Sequence, residues 1–401
     1  MNLDIPVQRI ETSGRPAAWG AVFALSLGAF ALVASEFMPV SLLTPIAADL
    51  GISEGQAGQA ISISGAFALL TSLFISSLAG KLDRKVLLLS LTLLMIVSGS
   101  VVALAPNYLV FMVGRALIGI AIGGFWSMSA SIAMRLVPGN EVPKALAILN
   151  GGNALATVLA APLGSFLGAV IGWRGAFMFV IPVAAAAFVW KFVSLPSLSP
   201  PAQGSGNVLK LLKRAQIAFG MAAVSIFFMG QFALFTYLRP FLERQTHVSV
   251  STLSFLLLLL GVAGFIGTTV IGSFLKDSLY RTLTVIPLLM AVIAMAFIKF
   301  GGSLAVTAIL LAVWGLIATA APVGWWTWLA KNLPDDAEAG GGLLVAVVQF
   351  AIMLGATLGG LLFDMHGYQA TFSASALLLL ISAAFTVLAA RASTGAVFTA
   401  T

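Results

Sequence analysis

The chain has 401 residues, of which 60% are hydrophobic and only 8% are charged, whereas an average soluble domain carries about 25% charged residues. Such a composition excludes an ordinary soluble enzyme and a disordered protein, and it indicates a surface that faces lipid. The absence of cysteine excludes a disulfide framework, a thiolate metal site and a cysteine nucleophile, and two histidines leave little for metal chemistry. The net charge of +7 comes without basic runs, so we attribute it to membrane topology and expect no nucleic-acid partner.

Twelve apolar stretches are long enough to cross a hydrocarbon core, which takes about 20 residues. In the first half they cover 18–40, 55–80, 86–105, 108–134, 145–171 and 175–194. In the second half they cover 216–242, 251–275, 282–299, 304–330, 341–364 and 370–391. The first stretch is preceded by charges of both signs and is followed by no small-residue cleavage site, so we expect it to be a retained span. The sequence therefore predicts an all-α membrane protein with twelve transmembrane helices.

The distribution of basic residues predicts the orientation. Fifteen of the 20 Lys and Arg residues fall on one side of the predicted spans, so the positive-inside rule places both termini in the cytoplasm. We divide the chain into a cytoplasmic tail (1–17), a six-helix bundle (18–194), a cytoplasmic linker (195–215), a second six-helix bundle (216–391) and a C-terminal tail (392–401).

The two predicted bundles are similar in sequence. The following pairs are separated by 195 residues: Glu36 and Gln231, Phe37 and Phe232, Leu43 and Leu238, Pro45 and Pro240, and Gly164 and Gly359. Each match alone is weak, but their agreement on one offset predicts a duplicated six-helix unit. Pseudo-symmetric halves of this kind enclose a binding site near the membrane midplane in one large class of transporters.

Three short motifs resemble those of the major facilitator superfamily. Gly80-Lys81-Leu82-Asp83-Arg84-Lys85 is similar to its signature loop, without the usual second Gly-Arg step. Gly114-Arg115 is similar to its arginine motif, and Ala161-Pro162-Leu163-Gly164 to its antiporter motif, with alanine where glycine is usual. The resemblance implies a twelve-span, proton-coupled exporter. It implies that Gly80, Asp83, Arg84 and Lys85 control the conformational change, with Asp83 holding a helix end across the interface between the halves. Charge that only sets the topology is the alternative, above all for Arg84 and Lys85. The helix with Pro162 and Gly164 would seal against leak, and plain helix packing is the alternative.

Longer stretches carry a more specific resemblance. They include 35–45, 123–130, 134–138, 230–233, 236–240 and 322–328, and together they are similar to bacterial purine-ribonucleoside efflux transporters. The resemblance implies a monomer in the bacterial inner membrane that exports inosine- and guanosine-type nucleosides by proton antiport, without a cofactor. The alternative is a proton-coupled exporter of arabinose-like sugars or of drugs within the same superfamily.

Two charged residues lie deep in the predicted spans of the first half. A charged side chain at the bilayer centre costs about 2.5–3.5 kcal/mol on insertion scales, and a carboxyl group facing a cavity there can carry a proton. We therefore expect Glu36 to couple transport to protons; the alternative is a carboxylate near the headgroups or one satisfied by backbone amides. Arg115 needs a carboxylate, carbonyls or water. Ionised Glu36 is its expected partner, and helix packing through backbone carbonyls is the alternative.

Aromatic residues indicate where a flat substrate would bind, because stacking on a ring contributes about 1–3 kcal/mol per base in nucleic-acid complexes. The candidate rings are Phe125, Trp126, Phe232, Phe235, Tyr237 and Trp325. The candidate hydrogen-bonding residues for ribose and base edges are Ser127, Asn153, Gln231 and Gln349. Contact with lipid or with the membrane interface is the alternative for each ring.

Other classes of membrane protein fit the sequence less well. An enzyme would need several ionisable or nucleophilic side chains at one depth, and the spans offer almost none beyond Glu36 and Arg115. A sensor would usually add a soluble signalling module, and a channel would need a polar filter or a charge ring. We therefore predict a transporter rather than an enzyme.

Overall fold

The computed structural model describes residues 17–80, 82–199, 208–333 and 337–398, and within these ranges every regular element is a helix. In chain order the α-helices are α1 Trp19–Leu50, α2 Glu54–Ala79, α3 Arg84–Ala103, α4 Tyr108–Arg135, α5 Val142–Ser194, α6 Ala215–Phe235, α7 Leu238–Arg244, α8 Val250–Phe300, α9 Leu304–Ala318, α10 Ala321–Asn332 and α11 Ala337–Phe398. Two short 3₁₀ turns cover Gly139–Glu141 and Val208–Lys213. Residues 1–16, Lys81 of the motif loop, 200–207 of the linker, 334–336 and 399–401 lie outside the described residues.

Several helices begin at a polar residue that caps the first turn. Ser53 and Gln56 form a reciprocal capping box at α2, with both hydrogen bonds at 3.0 Å. Asn107 accepts the Val110 amide at the start of α4, and Asp83 accepts the Lys85 amide at the start of α3. These caps satisfy amides that have no partner within the helix, so the polar breaks between apolar stretches fix where the helices begin.

Ten stretches among the described residues are long and apolar enough to cross a membrane, so the prediction of a helical membrane protein is confirmed. Two of them, Gly139–Ser194 and Gly340–Ser393, have 56 and 54 residues, which at 1.5 Å per residue far exceeds a hydrocarbon core of about 30 Å. Each is interrupted by one glycine, Gly172 (φ 76°, ψ 163°) or Gly367 (φ 76°, ψ −176°). These glycines are separated by 195 residues, so the break is duplicated with the rest of the repeat.

The first predicted span, 18–40, is too short, because α1 continues without interruption to Leu50. Pro39 and Pro45 lie inside this helix, and a proline removes the amide that would bond the carbonyl four residues earlier. The carbonyls left without that bond belong to Ser35 and Ser41, and each accepts a hydrogen bond from an arginine of another helix. The sequence shows both prolines but not the arginines from other helices that let α1 continue past them.

Each half of the chain has its own apolar core, and glycines let the helices within it approach closely. A Cβ added at Gly164 of α5 would collide with the Ser41 hydroxyl of α1 and lie 3.4 Å from Met38. At the equivalent place, a Cβ on Gly359 of α11 would lie 2.7 Å from the Ala233 carbonyl of α6. The contacts α1–α5 and α6–α11 therefore repeat at the same offset of 195 residues.

The halves meet at the end of the molecule where α1 ends and α2 begins. Asp364 of α11 accepts the Ser53 hydroxyl at 2.5 Å and the Gly55 amide at 2.9 Å. Arg244 of α7 pairs with Glu54. We call this region the closed end. At the opposite end, Arg84 and Arg135 contact backbone carbonyls of residues 198 and 199, so these contacts stay within the first half and the linker.

Candidate functional site

Glu36 lies in α1 at the interface between the two halves. Only 5% of the residue is exposed, and its carboxyl group interacts with the Gln349 amide of α11 and with the charge of Arg115 of α4. Because Gln349 belongs to the second half and Arg115 to the first, Glu36 connects the two halves through a titratable group.

Arg115 is 1% exposed and donates to four acceptors of the first half. Its Nη1 donates to the Ser35 carbonyl at 2.7 Å, its Nη2 to the Glu36 carbonyl at 2.9 Å and to the Ser64 hydroxyl at 3.2 Å, and its Nε to the Ala60 carbonyl at 3.2 Å. The guanidinium therefore joins α1 and α2 through backbone carbonyls, which is the second of the two alternatives from the sequence. The carboxyl group of Glu36 acts on Arg115 through charge.

Two glutamine side chains in the described part of the chain have a buried amide oxygen without a hydrogen-bond partner, and one of them, Gln349, lies beside Glu36. The Oε1 atoms of Gln231 and Gln349 are both buried and unpaired, although buried polar groups nearly always find partners. Phe37 and Phe232, the residues that follow Glu36 and Gln231, stack across the halves with centroids 5.6 Å apart. We call Glu36, Phe37, Gln231, Phe232 and Gln349 the central cluster. Phe37 was not among our sequence candidates, although the 195-residue offset that pairs it with Phe232 was a usable signal.

The remaining aromatic candidates lie in three places. Phe235 extends the central cluster, with its ring 5.9 Å from that of Phe232. Phe125 and Trp126 contact each other edge to face at 5.5 Å in α4. Tyr237 and Trp325 are 0% and 2% exposed and pack inside protein. The Tyr237 hydroxyl donates to the Ala356 carbonyl at 2.9 Å, so Tyr237 belongs to the closed end.

The polar candidates Ser127 and Asn153 are half-buried in the first half. The Ser127 hydroxyl donates to the Gly123 carbonyl of its own helix at 2.5 Å. The Asn153 backbone carbonyl accepts the Thr157 hydroxyl at 2.9 Å. These contacts lie within one helix, so the structure does not join either residue to the central cluster.

The motif loop joins the first half to the start of the linker. Gly80 ends α2 at φ 44°. The Asp83 carboxylate accepts the Lys85 amide at 2.7 Å and also binds the Ser197 hydroxyl and the Leu198 amide. The Ser197 hydroxyl and these backbone amides hold the pKa of Asp83 below its usual value. The resemblance places Asp83 across the interface between the halves; here its hydrogen bonds stay within the first half and the linker.

The two basic residues that follow Asp83, Arg84 and Lys85, pack against other parts of the protein. Arg84 is 8% exposed, and the Lys85 ammonium lies 5.5 Å from the Phe192 ring.

The antiporter motif lies at a close contact between α5 and α8. Pro162 removes the amide that would bond the Val158 carbonyl. Val158 packs against Gly261 of α8, and a Cβ added to Gly261 would lie 2.8 Å from the Val158 Cα. The helix with Pro162 and Gly164 therefore contacts α1 of its own half and α8 of the other.

Two basic residues that were not among our site candidates are buried in protein. Arg239 is 6% exposed and pairs with Glu243 at 2.8 Å, while it donates to the Ser41 carbonyl. Lys191 is 1% exposed, and its Nζ donates to the Thr92 hydroxyl at 3.0 Å. The sequence prediction missed both, because hydropathy shows that a basic residue ends a span but not which way its side chain turns.

Two helical halves around a buried carboxyl group and unpaired amide oxygens define a multi-pass membrane protein of the transporter class. Residues 25–343 match the family model described as Major Facilitator Superfamily. The chain belongs to this superfamily of membrane transporters, as its motifs indicated.

Two curated relatives match nearly the whole chain, and their names differ in the function they state. It is 61% identical over 394 residues to the "Transcription regulatory protein OpdE" of Pseudomonas aeruginosa, with 97% of each chain covered. It is 41% identical over 376 residues to the "Purine ribonucleoside efflux pump NepI" of Salmonella enteritidis, with 94% of each chain covered.

Solved structures share the fold at low identity. An inward-facing, occupied bacterial homolog of the human lysosomal transporter Spinster has a TM-score of 0.75 and 16% identity, over 94% of this chain and 98% of that one. The human organic anion transporter MFSD10 has a TM-score of 0.67 and 19% identity, over 93% of this chain and 100% of that one.

Proposed function

We propose that this transporter exports purine ribonucleosides of the inosine and guanosine type across the bacterial inner membrane in exchange for protons. The observation that carries the proposal is the position of Glu36, a buried carboxyl group between the halves beside Gln349 and Arg115. The substrate class is supported by the 41% identity to a purine ribonucleoside efflux pump. The protein acts as a monomer in this proposal.

The proposed topology has twelve crossings with both termini in the cytoplasm. Division of the two longest helical stretches at Gly172 and Gly367 supports this count, because each part then has a length that suits a bilayer. With this topology the closed end faces outward, and the molecule is arranged to exchange substrate with the cytoplasm.

Proton coupling would work through the bond between Glu36 and Gln349. An ionised carboxylate accepts from the amide NH₂ of Gln349, whereas a protonated carboxyl group can donate to the Gln349 Oε1, which has no partner in this structure. The ionised form also attracts Arg115 of its own half. A proton on Glu36 therefore removes the attraction between its carboxylate and Arg115, and it changes the hydrogen bond between Glu36 and Gln349 of the second half. This change biases the equilibrium between the inward-open and outward-open states.

The central cluster suits a flat, polar substrate. Phe37 and Phe232 offer ring faces contributed by both halves, and a base that separates or covers them would gain stacking energy. The amides of Gln231 and Gln349 supply both donors and acceptors for a base edge or a ribose hydroxyl. Such contacts would be made to both halves at once, as alternating access requires.

The experiment is uptake of labelled inosine into inverted vesicles with an acidic interior. We expect accumulation that collapses when the pH gradient is dissipated, and Glu36→Gln to lose this dependence while it still exchanges labelled for unlabelled inosine. Glu54→Gln is the matched control, because Glu54 is a carboxylate at the closed end that pairs with Arg244. Transport of arabinose or dyes without inosine would favour the sugar or multidrug alternative.

A regulatory role is a second candidate, since a 61% identical relative is named a transcription regulatory protein. An exporter can act on transcription indirectly when it lowers the cytoplasmic concentration of an inducer. Under this explanation, Glu36→Gln should abolish proton-driven net export and regulation together. Normal regulation by a transport-dead variant would instead indicate a direct regulatory function.

A further inference from the structure

Lys191 carries a buried amino group that is not part of the central cluster. It lies on α5 after the break at Gly172, and four helices surround its side chain. Its Nζ donates to the Thr92 hydroxyl of α3 at 3.0 Å and lies 5.2 Å from the centroid of the Phe125 ring of α4. On α1, Gly28 leaves the space for it: an added Cβ there would be 2.8 Å from the Lys191 Cε and would overlap the Nζ.

The acidic residues of the surrounding helices do not neutralise Lys191. The charged residues on these helices are Glu36 and Asp49 on α1, Arg84 and Lys85 on α3, Arg115 and Arg135 on α4, and Lys144 and Arg174 on α5 itself. Asp49 pairs with Arg174, and Glu36 faces Arg115 and Gln349. Among the residues that the structure describes, no carboxylate lies within ion-pair distance of Lys191.

The hydrogen-bonding capacity around Nζ matches a neutral amine. The Thr92 hydroxyl donates its own proton to the Leu88 carbonyl at 2.7 Å, so it can only accept from Lys191. Nζ therefore has two acceptors, the Thr92 oxygen and the face of the Phe125 ring. They match the two N–H donors of a neutral amine, whereas an ammonium has three. An unpaired buried charge would cost several kcal/mol, so this arrangement favours release of the proton.

We propose that Lys191 is a second proton-exchange residue of the first half, which is neutral in the arrangement seen here and takes up a proton when the helices around it separate. The proposal rests on the proton-coupled function proposed above. Gly28 and Glu36 lie about 12 Å apart along α1, so one helix links the two proton sites. Phe125, a predicted substrate contact, covers Lys191, so substrate that moves this ring would change the stability of the ammonium.

The first test counts the protons moved per nucleoside in vesicles for the wild type and for Lys191→Met, which keeps the apolar stem. We expect the variant to move one proton fewer per cycle and to retain exchange of labelled for unlabelled nucleoside. Lys144→Met is the matched control, because the Lys144 ammonium also covers a ring, that of Trp19 at 4.6 Å, but Lys144 is exposed. An unchanged proton count in Lys191→Met would overturn the proposal.

The second test needs no transport and separates this proposal from the function on which it rests. A folded protein with a buried amine that must stay neutral becomes less stable as the pH falls, because the unfolded chain takes up the proton more readily. The Tm of Lys191→Met should therefore exceed the wild-type Tm by a margin that grows as the pH is lowered from about 9 to about 6. A Tm difference that does not vary with pH would show a purely structural lysine. If the wild type shows no proton coupling but the Tm difference still varies with pH, the proposed function fails and the titration of Lys191 stands.

Discussion

The guanidinium of Arg239 in the second half donates a hydrogen bond to the Ser41 backbone carbonyl in the first. Pro45 has removed the helical partner of that carbonyl, so the proline creates the acceptor. Arg115 uses the Ser35 carbonyl, left by Pro39, in the same way. One proline–arginine pair thus joins helices within the first half, and the other joins the two halves.

Arg239→Gln should weaken the closed end. A hydrogen bond from a charged group contributes about 1.5–3 kcal/mol, so the closed state should lose at least about tenfold in population. Gln59 of α2 lies at the interface between the halves, where its Oε1 accepts the Thr357 hydroxyl of α11 at 3.3 Å. Because the chain contains no cysteine, a single Gln59→Cys reporter can be labelled with an impermeant maleimide, and we expect its labelling rate to rise accordingly. Arg244→Gln is the control, since the Arg244 side chain is 62% exposed and surface pairs contribute about 0–1 kcal/mol. Equal effects of both variants would contradict the role of Ser41.

Gln231→Leu should separate substrate binding from stability. The Oε1 of Gln231 is buried without a partner, so an apolar replacement should leave Tm unchanged or raise it. Loss of one hydrogen bond to substrate, about 0.5–1.5 kcal/mol, should raise KM by about 2- to 12-fold. Gln216→Leu provides the contrast, because Gln216 bonds the Tyr280 hydroxyl at 2.9 Å, and its loss should lower Tm without a change in KM. A lower Tm and an unchanged KM for Gln231→Leu would show that its amide serves packing.

Gly172→Ala and Gly367→Ala should each destabilise the protein. Both glycines combine φ 76° with an extended ψ, a conformation that costs other residues about 1–3 kcal/mol. No atom lies within 4 Å of an added Cβ at either site, so strain alone should lower Tm. Gly151→Ala is the matched control: it is equally open but helical, and alanine there should stabilise by about 0.5–1 kcal/mol. Equal Tm values for all three variants would contradict the strain argument.

Asp83→Asn should test the charge at the motif loop. The pKa of Asp83 is lowered, so its ionised form stabilises the folded state above the ordinary Asp pKa of about 3.9, and this contribution is lost as the pH falls through the lowered pKa. Wild-type Tm should therefore show no contribution from Asp83 titration between about pH 6 and pH 8. Asparagine keeps a helix cap and should cost less than Asp83→Ala, which loses about 0.5–2 kcal/mol of capping. A Tm difference between wild type and Asp83→Asn that changes across neutral pH would contradict this assignment.

The sequence predicted the features that depend on local order along the chain. Hydropathy located the apolar helices, and the offset of 195 residues that linked Glu36 to Gln231 also links Gly172 to Gly367, the two breaks that divide the longest helices. The predicted first span ended at residue 40, although α1 continues past Pro39 and Pro45 to Leu50, because partners from other helices satisfy the carbonyls that the prolines free. Arg239 supplies one such partner from 198 residues away, and no local pattern announces it.

The sequence by itself determined the membrane class, the superfamily and the duplication. It also singled out Glu36 as a candidate, because an acid within an apolar stretch is conspicuous whatever the packing. The tertiary structure decided which groups face that acid: Gln349 lies beside its carboxyl group, while the Arg115 hydrogen bonds go to carbonyls. It also decided that Lys191 turns inward over Phe125. These choices depend on how helices are rotated against one another, and an almost uniformly apolar helix carries no polar face from which that rotation can be read.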